Sequence, residues 1–262
     1  MNTRPNEIAD WLRQRVTASG ATGIVVGLSG GVDSAVVARL SQLAAQDQVL
    51  AVMLPCHSDP RDEADARIVA EHFDLTVIRI DLAPAYDRLV ADLKSETSRL
   101  STAPPAAADS SDPRARVPLA NIKPRLRMSA LYYVANTMNY LVAGTGNRSE
   151  LTIGYFTKYG DGGVDVLPIG HLLKSEVRTL ARALDVPASI IDKTPSAGLW
   201  LGQTDEEEMG FTYSDLERYL SDGPEAVAPA LAMRIERLIR ASEHKRALAP
   251  TPEADRSPGP LD

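Results

Sequence analysis

The sequence predicts an α/β fold, a doubly wound open parallel sheet with helices on both faces. Three observations carry that expectation. Short apolar, β-branched runs alternate with helix-period segments through the first 80 residues, the rhythm of βαβαβ units with right-handed crossovers. One of those runs, IVVGL, breaks directly into Ser29-Gly30-Gly31 and then a helical pattern. The 262 residues, 44% hydrophobic and 24% charged, are of ordinary globular composition and suffice for a sizeable core without covalent staples.

Taken in order, MNTRPNEIADWLRQRV places Ile8, Trp11, Leu12 and Val16 on one helical face. A strand is expected at about 22–28, then a helix over about 32–46 with Val36, Val37, Leu40 and Leu43 at helical spacing. VLAVML (49–54) reads as a strand closed by Pro55, RDEADARIVAEHF (61–73) as a helix with acids in its first turns, and LTVIRI (75–80) as a third strand. From Lys94 to about Pro118 the chain is rich in Pro, Ala, Ser and Asp without periodicity, a loop expected to be either a lid or a tolerated insertion. A helix from Pro124, apolar nearly all round through Met138, precedes a fourth strand at 139–144. Such a helix is central or covered by a partner chain. Further helices are expected at 171–184 and 228–243, with the acidic run 205–208 as a solvated face or mobile loop, and the Pro-rich tail is expected to fray.

Composition narrows the function. A net charge of −7 disfavours a general nucleic-acid role, so we expect no nucleic-acid partner. The single Cys56 leaves neither a disulfide framework nor a cysteine zinc site. No run of 18 apolar residues suggests a membrane span, and the N-terminus lacks the pattern of a signal peptide, so we expect a cytoplasmic protein.

Three chemistries compete for Gly27–Ser34. The GxxxxGK[ST] phosphate loop occurs nowhere in the chain. A hydrolase nucleophile elbow fits G-x-S-x-G at Gly27–Gly31, with Ser29 as nucleophile and His57, His72, His171 or His244 to complete a triad, but it leaves Asp33 and Ser34 idle. In the third, the N–H groups of a glycine loop wrap a pyrophosphate at a helix N-terminus, Ser29 and Ser34 add hydroxyls, and Asp33 reaches the phosphates through Mg²⁺.

SGGVDS resembles the glycine loop of the N-type ATP pyrophosphatases, which split ATP into AMP and pyrophosphate on an adenine nucleotide alpha hydrolase-like fold. Later strings are similar in order and spacing to the NAD synthetase family: NIKPRLRM (121–128), GTGNRSE (144–150), GYFTKYGDGGVDVLPIGHLLKSEVRTLA (154–181), KTPSAGLW (193–200), TDEEEMGFTY (204–213) and SEHKR (242–246). This resemblance implies one synthetase domain over 1–250 and a flexible tail at 251–262. It implies ATP contacts at Gly27, Leu28, Ser29, Gly30, Gly31, Val32, Asp33, Ser34, Met53, Thr145, Lys174 and Ser196. It likewise implies deamido-NAD contacts at Arg125, Lys158, Asp165, His244 and Lys245, with Mg²⁺ held by Asp33 and Glu150. Lys174 then answers for the lysine missing from the opening loop. The implied reaction is amidation of deamido-NAD to NAD⁺ by ammonia through an acyl-adenylate, with Ser29 and Lys174 stabilising charge, no side-chain nucleophile, and a homodimer as the working form. Two departures stand out: Met53 replaces a basic residue common in relatives, and the 94–118 stretch does not align.

Overall fold

The computed structural model describes residues 5–100, 113–200 and 202–252. Four strands form one parallel sheet: β1 (Gly23–Gly27), β2 (Val49–Met53), β3 (Val77–Arg79) and β4 (Tyr140–Ala143), in the order β3-β2-β1-β4. The expected strand at 75–80 contracts to its middle three residues. The chain winds outward from β1 through β2 to β3, then returns to place β4 on the other side of β1. That reversal makes the gap above β1 and β4 a topological switch point, where open α/β sheets bind ligands at their carboxyl edge.

Side-chain alternation along β1 distributes the helices. Ile24 and Val26 face a core built from α1 (Pro5–Ser19), α2 (Val32–Ala45), α3 (Pro60–His72), and, further along the chain, α8 (Lys174–Ala183) and α9 (Ala188–Ile191). Val25 faces the opposite core with α4 (Ala83–Thr97) and α6 (Ile122–Met138). Period-2 burial on both faces is what a doubly wound sheet requires. A third cluster joins α7 (Arg148–Ile153), α10 (Asp205–Met209), α11 (Tyr213–Asp222) and α12 (Pro229–Ala241) around the fully buried Leu216 and Ile235. A last turn, α13 (Glu243–Arg246), docks back on the loop after α7, because Gly154 has φ +70 and no side chain. A Cβ at Gly154 would stand 2.1 Å from that of Ser242.

Two sequence expectations need correction, and a third narrows. The unstructured reading of 94–118 gives way at both ends, since α4 runs to Thr97 and α5 spans Pro113–Ala120. Residues 101–112 and the tail from 253 lie outside the described residues. The helix expected from 171 starts at Lys174, because Leu173 takes extended backbone as its N-cap. Of the two readings of α6, central or covered by a partner chain, the first does not hold: Val134 and Ala135 are buried, while Tyr133 is 74% exposed and Met138 40%.

Candidate active site

The loop between β1 and α2 is shaped by its glycines and locked by its serines. Gly30 has φ +80, and a Cβ there would come within 2.3 Å of the Asp62 carbonyl oxygen at the start of α3. Only glycine meets both demands. Ser34 Oγ donates to the Gly31 carbonyl at 2.9 Å and accepts from Ser29 N–H at 3.2 Å, with Ser29 Oγ 3.0 Å away. No side chain caps α2 at Gly31, so the N–H groups of its first turn remain available to an anion. No histidine is among the hydrogen-bond partners of Ser29; His57 instead pairs with Asp87 and His72 with Asp185. The elbow reading therefore lacks its base.

Across the switch point, three elements bring charge to the end of this loop. Asn147 caps α7 in a reciprocal box with Glu150, the signature N-x-x-E, accepting from Glu150 N–H at 3.0 Å. The same buried Asn147 donates from Nδ2 to Asp33 at 3.0 Å. Lys174, the first residue of α8, sends its ammonium 2.5 Å from one Asp33 oxygen and 3.3 Å from Glu150. Its side chain is 5% exposed.

Burial works against the Lys174 charge, but the carboxylates of Asp33 and Glu150 outweigh it and hold the amine firmly protonated. Burial pushes the Glu150 carboxyl up to about 7; Asp33 and Asp205 push the same way, and Lys174 opposes them. Asp205 is the residue that sequence reasoning misplaced. The acidic run is helix α10, and Asp205 turns inward, 4% exposed, accepting from the hydroxyls of Tyr213 at 2.9 Å and Tyr155 at 3.2 Å. Tyr213 Oη also lies 3.3 Å from Glu150, and the Lys174 ammonium sits 5.2 Å above its ring. The signal available in the sequence was Thr204, an N-cap one residue before the run, which fixes the phase of the helix.

Three carboxylates thus face one ammonium, an excess of negative charge. Among the described residues no group of three or more His, Cys, Asp and Glu side chains is arranged as a metal cage. Asp33 and Glu150, both on the Lys174 ammonium and beside a loop with free N–H groups, offer the hard carboxylate oxygens that a Mg²⁺ shared with phosphates takes.

This centre opens into a cavity of about 880 Å³ lined by Gly27, Leu28, Ser29, Gly31, Val32, Asp33, Ser34, Met53, Thr145, Glu150, Lys174 and Ser196. Every expected ATP contact except Gly30, which is turned under α3, is therefore brought to one space. The expected dinucleotide contacts are more scattered. Lys245 lines the cavity, but its ammonium donates to the carbonyls of Gly154 and Phe156, both at 2.7 Å. Arg125 donates to the Lys158 carbonyl at 3.3 Å, and the Lys158 ammonium reaches the His244 carbonyl, outside the lining. Asp165 accepts from Tyr132 Oη at 2.9 Å and Val142 N–H at 2.8 Å, tying α6 to the edge of β4.

The comparisons with known proteins agree in one direction. The family model described as NAD synthase matches residues 5–249. The NH(3)-dependent NAD(+) synthetase of Carboxydothermus hydrogenoformans is 49% identical over 249 residues, covering 95% of this chain and 96% of that protein. Its counterpart in Syntrophomonas wolfei is 44% identical, covering 94% and 93%. Among solved structures, NMN synthetase from Francisella tularensis matches with a TM-score of 0.84 at 38% identity, covering 95% of this chain and 96% of that one. With a parallel sheet wound about a glycine loop and matches running nearly end to end, the chain belongs to the NAD synthase family.

Proposed function

We propose that the chain, an ATP-using carbon–nitrogen ligase, amidates the nicotinate carboxylate of deamido-NAD with free ammonia to give NAD⁺, AMP and pyrophosphate. Ammonia as nitrogen source is supported by the names of the relatives, which this chain covers over nearly their whole length. The observation that carries the reading is the convergence of the glycine loop, Asp33, Glu150 and Lys174 on one cavity at the switch point.

A carboxylate oxygen is a poor leaving group, so the acyl carbon must be activated before ammonia can add. In the first step a nicotinate oxygen forms a bond to the α-phosphorus of ATP while the bond to the β-phosphate oxygen breaks. Pyrophosphate leaves and an acyl-adenylate remains. In the second, the ammonia lone pair adds to the acyl carbon, the carbon–oxygen bond to AMP breaks, and a proton is lost from nitrogen. The loop N–H groups hold the departing pyrophosphate, and Lys174 neutralises charge where it accumulates. Asp33 and Glu150 would hold Mg²⁺, which supplies electrostatic stabilisation of the phosphates when bound. The residues do not attack the substrate; they orient it and set the field around it.

Arg125, Lys158, His244 and Lys245 are the candidate anchors for the dinucleotide, since they form one connected patch beside the cavity. The half-exposed outer face of α6, with Tyr133 and Met138, supports a homodimer built across it. A narrower substrate is a second reading, favoured by the likeness to the Francisella NMN synthetase: the mononucleotide acid in place of the dinucleotide. The deciding experiment measures pyrophosphate release with each component omitted in turn. Release that needs ATP, deamido-NAD and an ammonium salt together supports the reading. Equal turnover with glutamine, or a preference for the mononucleotide acid, contradicts it.

A further inference from the structure

Arg127 stands one turn past the start of α6 and carries its guanidinium to the carboxyl end of β2. Nε donates to the Leu54 carbonyl at 3.1 Å and one terminal nitrogen donates to Ser58 Oγ at 3.1 Å. Both acceptors are neutral. The other cations that line the same cavity on this side are paired: Lys193 with Asp62 and Asp65, and Arg79 with Glu63. Among the described residues Arg127 has no carboxylate within ion-pair reach, and the buried Cys56 thiol, Asp161 and Asp62 act on it only from a distance. Its remaining N–H groups have no partner among those residues, and the side chain opens into the cavity.

An arginine does not lose its proton to escape desolvation, and an anion offsets that cost more fully than the two neutral acceptors do. Burial alone disfavours its charged form. The segment that binds it follows β2 directly and lies beside the glycine loop, whose Leu28 N–H bonds the Val52 carbonyl at 2.9 Å. The missing counter-charge therefore belongs at the carboxyl edge, where the fold receives its ligand. A guanidinium with unused N–H groups suits a phosphoryl oxygen pair.

We infer that Arg127 is the counter-cation for a phosphoryl group of one of the two nucleotide substrates, a second anion anchor across the cavity from Lys174. This assignment rests on the amidation proposed above. Arg127 is a binding residue here, and it is not asked to stabilise the transition state more than the ground state.

The test compares the wild type with Arg127→Met and Arg127→Lys. Removing a part-buried charge that lacks a counter-ion should leave the ligand-free melting temperature of Arg127→Met unchanged or raised. Inorganic tripolyphosphate should raise the melting temperature of the wild type and raise that of Arg127→Met much less. In steady-state kinetics the KM for one nucleotide should rise about tenfold in the Met variant with a smaller change in kcat, and the Lys variant should fall between. A rise confined to ATP gives the phosphoryl group to ATP, and a rise confined to deamido-NAD gives it to the dinucleotide. Both KM values within twofold of wild type, with an undiminished tripolyphosphate shift, overturn the inference. So does a Met variant that only melts earlier, or that fails to fold while the Lys variant keeps wild-type KM values. A wild type that releases no pyrophosphate sinks the proposed reaction, while the tripolyphosphate comparison still decides Arg127.

Discussion

The two halves of the site are built differently. On the glycine-loop side, Asp33, Asn147, Glu150, Lys174, Asp205 and Tyr213 bond to one another through side chains; Asn147, Lys174, Asp205 and Tyr213 are buried, and Asp33 and Glu150 partly so. On the dinucleotide side, Arg125, Lys158 and Lys245 spend their charges on backbone carbonyls, and the first two are not part of the cavity lining. The first half is preassembled on strand ends and helix termini, elements that cannot shift without breaking the core. The second is a set of donors held by weak, exchangeable contacts. Under the proposed reaction, phosphate charge would meet a finished site, whereas the dinucleotide would complete its own.

Substitutions that separate the halves test this. Lys174→Met should have the largest effect, lowering kcat for pyrophosphate release by about 10²–10³-fold, because a water-excluded cation near the phosphates is lost. Near-normal turnover in that variant would remove Lys174 from the mechanism. Asp205→Asn, which preserves shape and removes one negative charge, should lower kcat by about tenfold with both KM values little changed. An effect on KM alone would make Asp205 part of ground-state binding instead. Lys158→Ala should raise the KM for deamido-NAD about tenfold and leave the KM for ATP alone. If both rise together, the halves are not separable.

The pH dependence of stability addresses the preassembled half. A Glu150 carboxyl raised from 4.5 to about 7 is bound to its proton more tightly in the folded state. Its contribution to stability is complete below about pH 4.5 and fades as pH rises through about 7. Ligand-free protein should therefore lose melting temperature between pH 5 and 7, and Glu150→Gln should flatten that slope; an identical slope in the variant assigns it to other groups. The smallest effect is expected for Asn147→Ala, about 1–2 kcal/mol of stability from the lost cap, read by denaturant titration. A loss under 0.3 kcal/mol would mean that the cap is replaced by water.

How much of this was legible beforehand depends on whether the signal was local. The four strands, though not the ends of β3, and the glycine loop were, because short apolar runs and Ser-Gly-Gly report backbone demands confined to a few residues. Asp33 was legible within its own loop, as an acid beside a phosphate cradle, but Lys174 became legible only through resemblance, since nothing within either segment says that the two meet. Asp205 was misread because a run of four acids looks solvated by composition, and only the phase set by Thr204 turns one inward. Arg127 was overlooked for the opposite reason: its significance is a missing partner, and a sequence does not display the charge that fails to arrive. The 94–118 stretch misled because Pro and Ala suit first turns as well as loops, and α5 begins on Pro113.

The contact between Asp33 and Lys174 joins positions 141 apart in the chain. Among the described residues, three of the four strands and five complete helices lie between them, all of which must be in place before the two charges meet. Contacts of such long range are among the last to form, because the entropy of closing the intervening chain has to be met first. Nucleotide binding therefore reports on completion of folding. During refolding, helical signal should return before the capacity to bind ATP, and a nascent or partly unfolded chain should be unable to hydrolyse or sequester the nucleotide it will later use.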